Sequence, residues 1–224
     1  MNDKTVVITG ASGVVGARAL AHLLARDDVG RVVALGRRPL ALSHDKLTSR
    51  VVDLQSAAAM ADEIPDGVAV ALCCLGTTMK QAGSEEAFRA VDKDAVVAFG
   101  EAARCRGAAR FVLVSSIGAD ARSRSFYMKT KGEAEEALGR LGFAELIVVR
   151  PSFLDDQGAR SDHRLGERLG LPVARAFFAV VGKTSRYAPI TADAVGKALS
   201  RLAFDEMKAR VRAVEGAELH ALGS

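Results

Sequence analysis

At 224 residues the chain has the length of one large α/β domain and can bury a substantial core. Hydrophobic residues make up 49% of it but aromatic ones only 5%, so that core must be aliphatic, and the net charge of +4 comes without any basic run interleaved with aromatics. This pattern argues against a nucleic-acid surface, and no apolar stretch approaches the ~20 residues that a membrane-spanning helix needs. Cys73 and Cys74 are adjacent in an apolar run and Cys105 stands alone, which is no disulfide framework. A strand pattern is under way by Thr5, so no signal peptide is predicted, and the expectation is a cytoplasmic protein with reduced thiols.

The first predicted strand, Thr5–Thr9, runs into Gly10-Ala11-Ser12-Gly13-Val14-Val15-Gly16 and then into a helix with Leu20, Leu23 and Leu24 on one stripe. Glycines at this spacing permit a tight turn, close approach of backbone to a pyrophosphate, and close helix–strand packing. The helix start then offers N–H groups and a favourable dipole to the phosphates. Directly after a buried strand and before an amphipathic helix, this motif predicts a dinucleotide site. The second strand, Arg31–Leu35, ends in Gly36-Arg37-Arg38. An acid near this point would hold a ribose 2′-hydroxyl, whereas arginine accommodates a 2′-phosphate, so NADP(H) is the predicted cofactor. A third strand, Ser49–Val52, leads to Asp53 and Leu54, with Asp53 suited either to the adenine edge or to capping a helix over 54–62.

The fourth strand, Gly67–Cys74, opens into Leu75-Gly76-Thr77, and a helical stripe of Phe88, Val91, Ala95, Phe99 and Ala102 follows. Asp92 on that helix is expected on a solvated face rather than in the cleft, and Cys73 and Cys74 as inert packing. Strand Arg110–Ser115 ends at Ser115-Ser116, and the next helix carries Tyr127 and Lys131 one turn apart, with Ala134, Leu138 and Leu141 as its buried stripe. A tyrosine serving as proton donor must bring its pKa from ~10 toward working pH, a change of about 3–4 kcal/mol. One ammonium about 4–5 Å away, at an effective dielectric near ~20, supplies roughly that much. Strand Leu146–Arg150 leads to Pro151. Beyond it the rhythm weakens: a loop and one amphipathic helix over 151–185, a short strand at Tyr187–Ile190, and a helix from near Ala192. Arg160, His163 and Arg164 fall in that post-strand loop, where they would either grip an anionic ligand or lie exposed. His22, His44, His163 and His220 lack ligand-like spacing, and no metal is predicted.

Continuous apolar strands alternating with amphipathic helices predict a Rossmann-type, doubly wound parallel sheet in three α/β/α layers. One domain spans 1–224, with a C-terminal, substrate-side extension from about 151 folding over the sheet edge.

The segments GASGVVG, LGRR, VVDL, CCLGTT with KQAG, VDKD, SSIGAD, YMKTKGEAE and RPSFL, in order from Gly10 to Leu154, resemble the short-chain dehydrogenase/reductase superfamily. Within it they are similar to the atypical branch of Tat-interacting, metastasis-suppressor-like proteins. That resemblance implies cofactor contacts from Ser12, Gly13 and Val15 at the phosphates, Arg37 and Arg38 at the 2′-phosphate, and Leu75, Gly76 and Thr77 on the adenosine side. It also implies Tyr127 and Lys131 at the nicotinamide ribose, with Pro151, Leu154 and Arg164 nearby. Two departures stand out: a short interval from Ser116 to Tyr127, and Pro151-Ser152 where the superfamily often has Pro-Gly. The serine that orients substrate is therefore left open among Ser115, Ser116 and Ser125. The expected function is NADP(H)-dependent oxidoreduction of a small carbonyl or alcohol, as a monomer or homodimer. An NADP(H)-occupied sensor without turnover is the alternative, and an epimerase-like activity would need more than the ~70 residues that follow the last strand.

Overall fold

The computed structural model describes residues 4–155, 187–206 and 209–224. Seven parallel strands form one sheet: β1 (Lys4–Thr9), β2 (Val29–Gly36), β3 (Leu47–Val51), β4 (Val70–Cys73), β5 (Arg110–Val114), β6 (Glu145–Arg150) and β7 (Val211–Glu215), in the order β3-β2-β1-β4-β5-β6-β7. This is the doubly wound α/β architecture predicted from the alternating pattern. The strand order reverses between β1 and β4, whose carboxyl ends Thr9 and Cys73 lie in register. In open α/β sheets a ligand crevice forms outside the strand ends at such a reversal.

Alternation along each strand divides the core in two. Val6, Ile8, Val32, Ala34, Leu72 and Val112 face one layer, built from α1 (Val14–Leu24), α7 (Ala192–Leu202) and α8 (Gly216–Gly223). Val7, Val33, Leu35, Ala71, Cys73 and Phe111 face the other. That second layer holds α2 (Ala57–Glu63), α5 (Ala95–Cys105) and α6 (Phe126–Arg140). Both faces are covered, which is why the strands read as unbroken apolar runs. Cys73 is fully buried in this core, where desolvation pushes its thiol upward, in keeping with inert packing.

Val211–Glu215, a stretch without a strand pattern in the sequence, adds β7 parallel to β6 and extends the sheet by one strand. Tyr187–Ile190 is not a strand; it contributes one isolated bridge, Leu154 to Ile190. The helix predicted near Ala192 is α7, capped by the Thr191 side chain accepting from the Ala194 N–H at 3.1 Å. The loop and helix predicted within 156–186 lie outside the described residues, and with them Arg160, His163 and Arg164.

The stripe from Phe88 to Ala102 is a broken helix. Short helices α3 (Met79–Ala82) and α4 (Glu85–Arg89) precede a π-helical turn over Ala90–Asp94, which runs directly into α5. The wide turn shifts the helical phase, and π-turns of this kind recur at functional sites. Here it turns Asp92 inward.

Candidate functional site

At the strand-order reversal lies a cavity of about 640 Å³. Gly10, Ser12, Gly13, Arg37, Arg38, Leu54, Leu75 and Gly76 all line it, as do Leu40, Leu42 and Gln55, which no sequence signal had marked. The turn at its floor depends on its glycines. Gly10 has φ of +75°, and a Cβ there would sit 2.3 Å from the Cys74 carbonyl oxygen; a Cβ on Gly16 would sit 2.1 Å from the Gly10 oxygen. Gly13 is the N-cap of α1 and supplies no side-chain cap. Ser56, Thr78, Ser84 and Thr191 cap α2, α3, α4 and α7 with their side chains. The start of α1, at Val14, Val15 and Gly16, thus carries no side-chain cap and is open to an anion at the cavity floor.

Arg37 and Arg38 are exposed on the cavity rim, and neither guanidinium makes an ion pair or hydrogen bond among the described residues. Two uncommitted cations facing a cradle for phosphates fit an anionic cofactor. Asp53 does not line the cavity. Its carboxylate accepts from the Gln55 N–H at 2.9 Å in a local turn, and Ser56, not Asp53, caps α2.

Beside Gly76 the second half of the site begins. Tyr127 and Lys131 share one face of α6, and the Tyr127 ring packs against Phe88 with centroids 5.3 Å apart. A Cβ on Gly76 would come within 3.6 Å of Lys131 Nζ, so the ammonium borders the cavity. Asp92, expected on a solvated face, is instead buried against it: its Oδ1 lies 2.7 Å from Lys131 Nζ, and its Oδ2 accepts from the Thr77 N–H at 2.8 Å. The side chains of Lys131 and Asp92 are 7% and 0% exposed. Burial is the largest influence on Lys131 and opposes its charge, but Asp92, assisted by Tyr127, outweighs it and holds the ammonium above the ordinary lysine range. Thr77 therefore meets Asp92 through its backbone. The only hint in the sequence was the position of Asp92 on the helix facing the cleft.

The two serines separate. Ser115 Oγ donates to Glu135 Oε1 at 2.5 Å, and Arg150 Nε donates to the same oxygen at 3.1 Å. Glu135 stands one turn beyond Lys131, so this network ties α6 to the ends of β5 and β6 and occupies Ser115. Ser116 is half-buried, and among the described residues its hydroxyl makes one long bond, donating to the Ile117 carbonyl at 3.4 Å. The short stretch up to Tyr127 closes because Gly132 lets the loop lie directly on α6: a Cβ there would be 2.2 Å from Ala121 N. Asp120 N–H bonds to the Met128 carbonyl at 3.2 Å across the same contact. Pro151 is buried and its carbonyl accepts from the Ile117 N–H at 3.0 Å, while Leu154 pairs with Ile190. Both lie at the β6 end of the sheet, and neither lines the cavity.

The model of the family described as NAD(P)H-binding matches residues 10–179. The chain belongs to this NAD(P)H-binding family. Within it, the rat protein HTATIP2 is 37% identical over 181 residues, 80% of this chain and 72% of its own length. The protein FMP52 of Eremothecium gossypii is 35% identical over 223 residues, 96% of both chains. Among solved structures, a short-chain dehydrogenase/reductase superfamily protein from Agrobacterium tumefaciens with bound NAD superposes with a TM-score of 0.71 at 20% identity. The match covers 97% of this chain and 80% of that one. These matches set the chain in the NAD(P)H-binding family alongside HTATIP2 and FMP52, and the solved structure shows the Rossmann fold expected from the sequence. The cytoplasmic expectation is corrected: FMP52, which matches nearly the whole chain, is named a mitochondrial protein. Composition and a strand pattern beginning by Thr5 could not carry that inference.

Proposed function

We propose that this NAD(P)H-binding protein is an NADP(H)-dependent oxidoreductase of a small carbonyl or alcohol, with Tyr127 transferring the proton. The observation that carries the reading is the convergence at Gly76 of an anion-ready cavity and the Tyr127/Lys131 face of α6. The N–H groups of Ser12, Val14 and Val15 would hold the pyrophosphate, with the Gly13 N–H closing the turn onto the Gly10 carbonyl at 2.9 Å; Arg37 and Arg38 would hold the 2′-phosphate, and Leu54, Leu75 and Gly76 the adenosine side. Lys131 would donate to the nicotinamide ribose. When bound, the cofactor supplies or accepts the hydride.

In reduction, the Tyr127 hydroxyl donates a hydrogen bond to the substrate carbonyl oxygen and then its proton as negative charge develops there. Ser116, whose hydroxyl is held only weakly, by the 3.4 Å bond to the Ile117 carbonyl, is the second donor to that oxygen. Donors fixed in place before the reaction need no reorganisation in the transition state, which is where such sites gain most of their rate. Asp92, itself anchored by the Thr77 N–H, holds Lys131 in position, and its charge partly cancels the field of the ammonium at Tyr127. Tyrosine activation here therefore depends on a pair, not on an isolated lysine.

Tyr127→Phe tests the assignment. The ring and its contact with Phe88 remain, so NADPH affinity should change little, while turnover of any carbonyl substrate should fall by roughly 10²–10⁴-fold, as for loss of a general acid. A Tyr127→Phe variant that turns substrate over at the wild-type rate, or a protein that binds NADPH tightly yet reduces nothing in a broad carbonyl panel, would overturn the proposal.

A further inference from the structure

The buried ion pair has a consequence for the bound cofactor. Lys131 and Asp92 sit at the nicotinamide end of the site in the reading above, on which this inference rests. The two redox states of a nicotinamide cofactor differ there by one positive charge on the ring. A lone buried ammonium would disfavour the oxidised, cationic ring; a lone buried carboxylate would favour it. In this chain the two charges are 2.7 Å apart, both shielded from solvent, and their sum at the ring is close to zero.

The other charged groups nearby are paired or screened. Lys93 and Arg89 share Glu133 at 2.8 Å on the outer side of the same contact, and the one positive charge left over lies among partly exposed side chains that solvent screens. Arg150 is committed to Glu135 a turn further along α6. From β4 the neighbour is the Cys73 thiol, raised by burial and so uncharged. The Thr77 N–H and the π-turn leave the Asp92 carboxylate little freedom to move away from the lysine.

We propose that Asp92 sets the redox-state preference of the site: by neutralising Lys131 within the pocket, it allows oxidised and reduced cofactor to bind with comparable strength. Asp92 is here a positioning and charge-balancing residue, touching neither hydride nor proton.

The test is thermodynamic and needs no substrate. Calorimetric titration at pH 6.5 gives the ratio of dissociation constants of NADP+ and NADPH, repeated with NAD+ and NADH. The mildly acidic pH keeps Lys131 protonated when its partner is removed. Asp92→Asn preserves shape and an acceptor for the Thr77 N–H but strands the ammonium, and should raise the oxidised-to-reduced ratio by about tenfold. That is the order expected for a unit charge roughly 8–10 Å from the ring at an effective dielectric near ~20. Lys131→Met strands the carboxylate and should move the ratio the opposite way. The double variant removes both charges, and its ratio should return to within about twofold of wild type even if its absolute affinities fall.

A residue acting only through packing would not show this reversal of sign and rescue. An unchanged ratio in Asp92→Asn, or a double variant that fails to return, overturns the inference. If Asp92→Asn does not fold, the Lys131→Met ratio decides alone: a fall supports the inference and no change refutes it. Failure of the wild type to bind any of the four cofactors would instead refute the underlying assignment of the site.

Discussion

Gly16→Ala places a methyl group where a Cβ would lie 2.1 Å from the Gly10 carbonyl oxygen, 2.8 Å from its carbon and 3.1 Å from Ala11 Cα. All three are backbone atoms of the phosphate turn, so no side-chain rotation relieves the overlap. The turn must move by about 1 Å, at a cost of roughly 1–3 kcal/mol typical of overpacking. Alanine returns up to ~1 kcal/mol of helix propensity, so the net loss of stability should be about 0–2 kcal/mol, or up to about 8 °C in Tm. Cofactor binding should suffer more, since displaced N–H groups lose charge-assisted bonds to phosphate at about 1.5–3 kcal/mol each, a ten- to hundredfold loss per bond. Gly139→Ala is the matched control: it too lies within a helix, but a Cβ there meets nothing within 4 Å. It should gain roughly 0.8–1 kcal/mol and bind cofactor normally. Thermal unfolding and NADPH titration of both variants decide the matter. Wild-type cofactor affinity in Gly16→Ala would refute the assignment of this turn to the phosphates.

Arg38→Ala should weaken NADPH binding by about ten- to hundredfold and leave NADH binding unchanged, as expected for loss of one charge-assisted bond to a 2′-phosphate; equal effects on both cofactors would remove the basis for NADP(H). Ser115→Ala should lower stability by ~1–2 kcal/mol, because Glu135 loses a buried donor, yet retain turnover. Ser116→Ala should do the reverse, so chemical denaturation and kinetics together identify the substrate-side serine. Asp28 accepts from Arg26 Nε at 2.7 Å and Lys4 Nζ at 3.0 Å, and the Arg26 hydrogen bond above all holds its carboxyl well below the usual range. Since the folded-state pKa is depressed, its stabilisation is complete above the ordinary Asp pKa of ~3.9 and fades as pH falls below it. The stability gap between wild type and Asp28→Asn should therefore be constant from about pH 7 to 5 and narrow below about pH 4.

The central strands and the phosphate turn were legible because their signals are local. An unbroken apolar run between helical stripes has few structural alternatives, and the glycines at 10 and 16 mark backbone approaches that no Cβ permits. The edge strand β7 escaped notice for a related reason. Among the described residues it has a neighbour on one side only, Val214 is its one fully buried residue, and the charged Arg212 and Glu215 interrupt it, so it never acquires the apolar run of a central strand. Tyr187–Ile190 carries apolar character for a different purpose, burying Ala188 and Ile190 without entering the sheet.

What the sequence determined alone is the α/β alternation, the position of the dinucleotide turn, the basic pair after β2, and the i,i+4 placement of Tyr127 and Lys131. Each follows from spacing within about one turn or one strand, where chain geometry is nearly rigid. Only the tertiary structure decided the pairings between distant segments. A π-turn rotates Asp92 from the solvent side onto Lys131, 39 positions away, and Glu135 captures Ser115 across α6 and β5. Helical periodicity assumes 3.6 residues per turn, so a single widened turn moves a side chain to another face. Which charges then meet depends on how the helices dock on the sheet, and no local pattern encodes that.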